Sequence, residues 1–196
     1  MNLSRTALHL VVGMLAVSCM TACGSSPPMR FYTLEAVEGA TSGAGLPGAF
    51  PLRVERVTVP AELDRQALVQ RVSPGQVRIS ELDRWAAPLD DMIRRTVTTD
   101  LASRLGTEHV VDAYEPATPE MRRRLFIDVT DLYADSSCAI TLRVSWTLQS
   151  PNAPDKRATE AIDGPPVASC PAGMAQGVSR ALAALSDHIA TAVTAP

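Results

Sequence analysis

The stretch RLFIDVTDLYADSSCAITLRVSWTL, residues 124–148, decides the fold that the sequence predicts. In residues 138–148 apolar and polar side chains alternate, and residues 124–133 follow the same two-residue period with one irregularity near Leu132. Such alternation is typical of strands that bury one face. Because only residues 134–137 join the two segments, we expect an antiparallel hairpin. The predicted inner face consists of Leu125, Ile127, Val129, Leu132, Ile140, Leu142, Val144, Trp146 and Leu148.

Two amphipathic helices are predicted on either side of this hairpin. Residues 88–105 and 172–193 each carry apolar side chains at helical spacing. The first begins with Pro88, Asp90 and Asp91, which suit a helix N-terminus. We expect each helix to place one face on a sheet and to leave the other to water or to a partner.

Shorter segments predict the rest of the fold. The remaining strands are expected in residues 31–34, 51–60, 68–72, 76–79 and 157–162, and the third and fourth of these could pair as a hairpin. Residues 38–50, rich in Gly, Ala and Ser, are interpreted as a flexible insertion. Together the elements predict an α+β fold, with an antiparallel sheet and two amphipathic helices packed on one face.

Length and composition limit the possible functions. The chain has 196 residues, of which 46% are apolar and 20% are charged, and this is enough for one hydrophobic core. Its 18 basic residues are outnumbered by 21 acidic ones, which gives a formal charge of -3. Since the acids are spread along the chain, no phosphate-binding footprint emerges, and we expect no nucleic-acid partner.

The N-terminus has the order of a secretory signal. Arg5 precedes an apolar run at Ala7–Val17, which is too short for a transmembrane helix of roughly 20 residues. Cys19 and Cys23 follow, each where a bacterial lipobox places its lipidated cysteine. The segment therefore resembles a bacterial lipoprotein signal.

Cys23 is the predicted lipidation site, and Cys19 is the alternative. Residues 24–28 after Cys23 are small, polar and then stiff, as suits a tether. Acyl chains on this cysteine would hold the domain at a bilayer without a spanning helix. In the sorting rule that accompanies the resemblance, Gly24 in place of an Asp implies the outer membrane. The predicted divisions are a signal peptide at 1–22, a lipidated tether at 23–30 and a single α+β periplasmic domain at 31–196.

Two further cysteines, Cys138 and Cys170, leave two interpretations open. An oxidising periplasm permits a bridge, which would close a loop of about 30 residues and stabilise the fold by roughly 3 kcal/mol. Two separate buried thiols are the alternative, because the sequence does not give the Cα separation. His109 and His188 add no close-spaced ligand pair, so we predict no metal site and no cofactor.

Ordered short motifs over most of the chain carry a family resemblance. They are a lipidated Cys followed by Phe31–Leu34, then Val57–Pro60, Leu63–Arg65, Val69 with Arg71, and Arg84–Trp85 with Pro88 and Leu89 at a helix start. In this order and spacing they resemble the ABC-type transport auxiliary lipoproteins, the family of the PqiC-like proteins. The resemblance implies a non-enzymatic outer-membrane lipoprotein that works with a periplasm-spanning MCE-domain protein in moving lipids or other hydrophobic molecules between membranes.

Docking is the task that this resemblance implies. The residues that it marks as candidates are Phe31, Tyr32, Leu34, Pro60, Leu63, Asp64, Arg65, Arg71, Trp85 and Pro88. Trp85 either packs beneath the helix start, which we expect, or presents an aromatic anchor, and Asp64 either fixes a turn or lies on a docking edge. The run at residues 122–124 is interpreted as a solvated strand entrance, with lipid head groups or an acidic partner as the alternative.

Two other functions remain open from the sequence. A carrier that holds an acyl chain between sheet and helices would have a contiguous apolar cavity. An envelope hydrolase is less favoured, because the chain lacks a Gly-x-Ser-x-Gly elbow and Asp187 and His188 are adjacent on a helix, where neighbours face different directions. A homo-oligomeric ring could surround a conduit, but the sequence gives no measure of oligomeric state.

Overall fold

A computed structural model gives the arrangement of the chain around the predicted hairpin. It describes residues 27–39, 52–105, 110–116, 123–151, 153–168 and 170–194. The predicted signal peptide, with Cys19 and Cys23, lies outside the described residues, as do His109, Arg122 and most of the predicted insertion.

Eight strands and two helices make up the described fold. The strands are β1 Arg30–Tyr32, β2 Leu52–Thr58, β3 Ala67–Ser73, β4 Gln76–Trp85, β5 Val110–Asp112, β6 Arg123–Ala134, β7 Ile140–Ser150 and β8 Ala153–Asp163. The helices are α1 Leu89–Leu105 and α2 Ala172–Thr194.

The antiparallel hairpin predicted from the alternation is formed by β6 and β7. A β-bulge between Val129 and Asp131 accounts for the irregular position of Leu132. The nine predicted inner-face side chains are all at most 5% exposed, which confirms this prediction. β7 begins at Ile140 rather than at the predicted Cys138, because Cys138 takes a φ of 65° in the turn.

A second hairpin is formed by β3 and β4, as the shorter segments suggested. The two strands are antiparallel, and the turn between them contains Gly75 with a φ of 75°. That left-handed conformation is one that glycine adopts without a steric penalty. The predicted strands near residues 31–34, 51–60 and 157–162 are present as β1, β2 and β8.

The eight-stranded sheet is mixed, so the prediction of an antiparallel sheet is only partly correct. Its strand order is β1-β4-β3-β6-β2-β5, with β7 paired to β6 and β8 paired to β7. β1 is parallel to β4, β2 is parallel to β5 and β6, and β3 meets β6 in parallel at one residue pair. Alternation reports which side chains are buried and carries no information about strand direction. Parallel neighbouring strands need long connecting segments, and the segment that connects β2 to β6 includes α1.

Both helices pack on the inner face of the sheet, as predicted. α1 contacts β2 and β5, α2 contacts β7 and β8, and the helices contact each other. The space between sheet and helices is filled by large side chains that are less than 2% exposed. They are Leu52, Ile93, Leu101, Leu105, Leu125, Leu132, Ile140, Leu142, Leu182, Leu185 and Ile189.

The polar side of α1 is more buried than the sequence predicted. Arg94, Asp100 and Arg104 are only 3%, 0% and 2% exposed, so the expectation that this side faces water or a partner is wrong for these residues. The reason is that β5, α2 and residues 33–39, which we call the strap, cover it and supply hydrogen-bonding partners. The periodicity of a helix cannot reveal such partners from elsewhere in the chain.

Candidate functional site

One buried carboxylate holds β1, the first described strand, to β4. Asp83 is 5% exposed and accepts hydrogen bonds from Arg30 Nε at 2.7 Å and Arg30 Nη2 at 3.1 Å. The hydroxyls of Tyr32 and Ser80 also donate to it, at 3.0 and 2.7 Å. The four donors fix the short strand in place.

The electrostatics of this cluster favour a charged Asp83. Burial by itself raises the pKa of Asp83, but the hydrogen bonds from Arg30, Ser80 and Tyr32 outweigh burial and hold the pKa below its usual range. Burial and the neighbouring carboxylate raise the pKa of Tyr32, so its hydroxyl remains a donor. The cluster is therefore a structural ion pair in which no group is poised to exchange protons at neutral pH.

The strap fastens the chain that leaves β1 to both helices. Glu35 N donates to Ser179 Oγ of α2 at 3.1 Å, and Val37 N donates to Asp100 Oδ1 of α1 at 2.9 Å. Arg104 Nη1 donates to Val37 O at 3.1 Å. The strap thus replaces the water that the polar side of α1 would otherwise contact.

Arg104 joins the strap, α1 and α2. Its Nε donates to Asp187 Oδ1 at 2.5 Å, and its Nη1 donates to Asp100 O at 3.1 Å. Gly39 approaches this guanidinium so closely that a Cβ would lie 2.6 Å from Arg104 Cζ. A side chain at position 39 would therefore displace Arg104 from its partners.

Asp100 is the most perturbed carboxyl in the described chain. Burial raises its pKa, the Val37 N–H and Arg104 lower it, and the charge of Asp187 raises it further, to about 6 in total. Its Oδ2 is buried without a hydrogen-bond partner among the described residues. The pKa of Asp100 is thus raised because its carboxylate is buried with too few hydrogen-bonding partners. The carboxylate lies under the strap, without an open approach for a substrate.

Two concave regions lie near the strap and the Asp83 cluster. A groove of about 690 Å3 runs between the strap and α2, and its walls include Thr33, Ala36, Gln176 and Arg180. A smaller cavity of about 150 Å3 lies beside Asp83, and its other walls include Leu68, Val69, Cys170, Pro171 and Met174. Neither lies between the inner face of β6–β7 and the helices, where a carrier would hold an acyl chain.

Cys138 and Cys170 are joined in a disulfide, with their Cα atoms 5.9 Å apart. The bridge links the β6–β7 turn to the segment that precedes α2. Beside it, Asp135 Oδ1 accepts hydrogen bonds from Ser137 N and Ala139 N, and these bonds, together with the Ser137 hydroxyl, lower the pKa of Asp135. The turn and the start of α2 are thus joined as one unit.

Half of the motif residues serve the fold. Leu34, Leu63 and Trp85 are 8%, 8% and 2% exposed and belong to the core. Tyr32 binds Asp83, as described above. Arg71 donates to Asp131 Oδ1 at 3.1 Å, and its guanidinium lies 3.6 Å from the centre of the Tyr133 ring.

The exposed motif residues are Phe31, Asp64, Arg65 and Pro88, while Pro60 is half-buried. The β2–β3 turn is closed by the backbone, because Leu63 N and Asp64 N both donate to Pro60 O, at 2.9 and 3.2 Å. The side chains of Asp64 and Arg65 are exposed on that turn and make no hydrogen bond or ion pair among the described residues.

Backbone hydrogen bonds bring the motifs together at one corner of the sheet. Trp85 N donates to Gln66 O at 2.6 Å, and Ala86 N donates to Tyr32 O at 2.8 Å. The β2–β3 turn, the end of β1, the end of β4 and the start of α1 therefore meet. We call residues 60–66 with 85–88 the motif corner.

Other candidates from the sequence have structural partners. Arg124 Nε donates to Glu55 Oε1 at 2.8 Å, and the exposed ring of His188 pairs with Glu160, which also accepts from Trp146 Nε1. Within the described ranges, no three His, Cys, Asp or Glu residues converge as metal ligands. Neither described helix is both long and apolar enough to cross a membrane.

Asp83, Asp100 and Arg104 were missed by the sequence reasoning. Their partners lie far along the chain, with 53 positions between Arg30 and Asp83 and 63 between Val37 and Asp100. No local pattern marks such pairs. A polar residue at a core position of α1 was the one available signal.

Comparison with known proteins identifies the sequence family. The family model described as the ABC-type transport auxiliary lipoprotein component matches residues 32–190. The chain is 30% identical over 92 residues to the intermembrane transport lipoprotein PqiC of Escherichia coli K12 and of Shigella flexneri. Each alignment covers 46% of this chain and 49% of the relative, so it spans about half the length of the curated relatives.

Two solved structures share the fold. The crystal structure of an uncharacterized protein superposes with a TM-score of 0.71 at 22% identity, over 85% of this chain and 99% of that one. A Xanthomonas campestris protein superposes with a TM-score of 0.70 at 16% identity, over 84% and 94% of the two chains. At these identities the similarity concerns the fold alone.

Proposed function

Because the chain belongs to the family of ABC-type transport auxiliary lipoprotein components, we propose that it is a non-enzymatic outer-membrane lipoprotein that docks a periplasm-spanning MCE-domain protein. Cys23 supplies the acylated anchor, residues 24–30 supply the tether, and the α+β domain supplies the docking surface. The assembly moves lipids or other hydrophobic molecules between membranes. The family match over residues 32–190, which includes nearly all of the described fold, carries this proposal.

The motif corner is the part of the domain that best suits docking. Its buried members, Leu63 and Trp85, fix the turn and the end of β4, so the exposed Asp64, Arg65 and Pro88 are held on a rigid base. Because the backbone of the turn is already fixed, binding there has to order only the side chains, which lowers the entropic cost. Their exposure within otherwise structural motifs favours a role in contact.

The packed interior favours docking over the carrier alternative. A carrier needs an apolar cavity of several hundred cubic ångströms that encloses most of its ligand. Here the layer between sheet and helices is occupied by side chains such as Leu142, Leu182 and Leu185, each 0% exposed. An acyl chain could enter only by displacing them, which would open the core.

Photocrosslinking in the native envelope tests the docking role. A photoreactive residue replaces Arg65 in the motif corner or, as a matched control, Arg157, an exposed arginine on β8 at another edge of the sheet. We expect position 65 to give an adduct that contains an MCE-domain protein and position 157 to give much less. Equal yields, or adducts without such a protein, would contradict the proposal.

A further inference from the structure

The tether enters the fold at the end of the molecule that carries the β3–β4 turn. β1 is parallel to β4, with Arg30 opposite Asp83, so the residues before Arg30 lie toward the start of β4 at Gln76. Cys23 is six residues before Met29. An extended chain spans at most about 3.6 Å per residue, so the two Cα atoms are at most about 22 Å apart.

This end, which we call the β1–β4 end, comprises residues 27–31 and 76–79. It carries four of the six large apolar side chains that are exposed in the part of the chain described by the structure. They are Met29, Phe31, Val77 and Ile79, at 54%, 61%, 53% and 47% exposure. Single exposed apolar residues are ordinary, but their concentration beside an anchor indicates an interaction surface.

The charged side chains at the β1–β4 end are basic. The Arg30 side chain is 57% exposed although it binds Asp83, and Arg78 is exposed between the two apolar residues of β4. Asp83 is buried, and Glu81 is the next acid along the strand. The chain from Cys23 onward has 17 basic and 21 acidic residues, so its net charge is negative. The positive charge at the β1–β4 end has the opposite sign.

The tether cannot cover the free edge of β4 by extending β1. Among the described residues, β4 pairs with β1 only at residues 83–85, which leaves residues 76–79 unpaired on that side. Residues 27–29 are outside any strand, and Pro27 and Pro28 lack the N–H groups that a sheet ladder requires. Among the described residues, nothing pairs with this side of residues 76–79.

We propose that the β1–β4 end rests on the phospholipid surface of the membrane that holds the anchor. Met29, Val77 and Ile79 enter the interfacial region, and Arg30 and Arg78 bind lipid phosphates. The short tether and the basic charge favour a lipid surface over a protein partner. The inference rests on the proposed function, since it requires acylated Cys23.

Fluorescence quenching in vesicles tests this orientation. The variants Ile79→Cys and Tyr114→Cys are made in the full-length chain, processed and acylated in the envelope, and reconstituted into vesicles of phosphatidylethanolamine and phosphatidylglycerol. With Cys138 and Cys170 bridged and Cys23 acylated, the added thiol alone takes an environment-sensitive dye. Tyr114 is the matched control, because it is 78% exposed and follows β5 at the far edge of the strand order.

We expect nitroxide-labelled lipid to quench the dye at position 79 about threefold more than at position 114. Equally weak quenching at both positions in an acylated, vesicle-bound chain overturns the inference and leaves the proposed function intact. A dye at 79 that is shielded from water but not quenched by lipid also overturns it, and indicates that a second copy covers this end. A chain without acyl groups that does not float with vesicles overturns the proposed anchor and the inference together.

Discussion

Asp83 and Asp100 hold the two ends of the segment formed by β1 and the strap, and their surroundings shift their pKa values in opposite directions. Asp83 fixes β1 and has three hydrogen-bonding side chains, which lower its pKa despite burial. Asp100 holds the strap, and burial with an unpartnered Oδ2 raises its pKa to about 6. Burial and the charge of Asp187 prevail at Asp100, whereas the hydrogen bonds from Arg30, Ser80 and Tyr32 outweigh burial at Asp83.

Asp100→Asn is expected to change how stability depends on pH. Between about pH 4, where an unfolded aspartate titrates, and pH 6, the folded chain keeps a proton that the unfolded chain has lost. Stability of the native chain therefore falls as the pH rises through this window, by about 2–3 kcal/mol for this group. The amide does not titrate and still accepts from Val37 N. Urea unfolding at several pH values should show that the free energy of unfolding of the variant rises by this amount, relative to that of the native chain, between pH 4 and pH 7.

The neighbours of Asp100 set the control for that measurement. Arg104 lies one turn after Asp100 on α1, and Asp187 binds Arg104 from α2, so the exposed Asp187→Asn variant reports how much of the pH dependence comes from Asp187. Because the charge of Asp187 raises the pKa of Asp100, we expect this variant to lose less stability between pH 4 and pH 7 than the native chain, while still losing some. A parallel pH profile for Asp100→Asn and the native chain would contradict the assignment of a raised pKa.

Asp83→Asn is expected to destabilise the fold by about 1–3 kcal/mol at neutral pH, because it removes a buried charge-assisted pair with Arg30. The folded pKa of Asp83 is lowered, so its contribution is fully present above about pH 4 and is lost as the pH falls through the folded value. Urea unfolding at pH 7 measures the loss. The exposed Asp64→Asn variant should stay within about 0.5 kcal/mol of the native chain. Equal stabilities for the two variants would show that the Asp83 cluster does not fasten β1.

At the scale of elements, the apolar period predicted which side chains of a strand or helix are buried. It did not predict pairings between elements that are far apart in the sequence. The β6–β7 hairpin and both helices follow from their apolar patterns, because each forms within a continuous stretch of sequence. The parallel pairings of β1 with β4 and of β2 with β6 depend on long connections, and β5 has three residues, too few to display a period. The sequence marked the motif corner only as separate motifs. It did not show that they meet, because the contacts at Gln66, Trp85 and Tyr32 are backbone hydrogen bonds.

The disulfide joins two elements that the sheet alone would leave independent. Replacing both Cys138 and Cys170 by Ser removes a link across a separation of 32 residues, and we expect a loss of about 3–4 kcal/mol in the free energy of unfolding. Thermal unfolding with and without reductant measures it. Reductant should bring the native chain down to the stability of the double variant and leave that variant unchanged. A native chain that does not respond to reductant would contradict a stabilising bridge.

For the whole molecule, the two proposed surfaces lie along the direction of one strand pair. β1 runs from the β1–β4 end toward Ala86 and the motif corner, and β4 runs beside it in the same direction. The Asp83 cluster connects β1 to β4 two residues before Trp85 of the motif corner. A force on the residues before β1 would therefore pass through the Asp83 cluster into β4 and the sheet.

The choice of Cys23 over Cys19 as the anchor comes from the sequence and can be tested by paired substitutions. Cys23→Ala is expected to release the chain from the outer-membrane fraction and to abolish its function, because docking contacts of modest strength depend on the high effective concentration that a shared surface provides. Cys19→Ala is the matched control and should leave the acylation, fractionation and function of the chain unchanged, since residue 19 is removed with the signal. Fractionation, mass analysis of the N-terminus and an assay of envelope integrity report the three properties separately. Function retained by a released Cys23→Ala chain would mean that docking needs no anchor, whereas loss of acylation in Cys19→Ala alone would move the anchor to Cys19 and lengthen the tether by four residues.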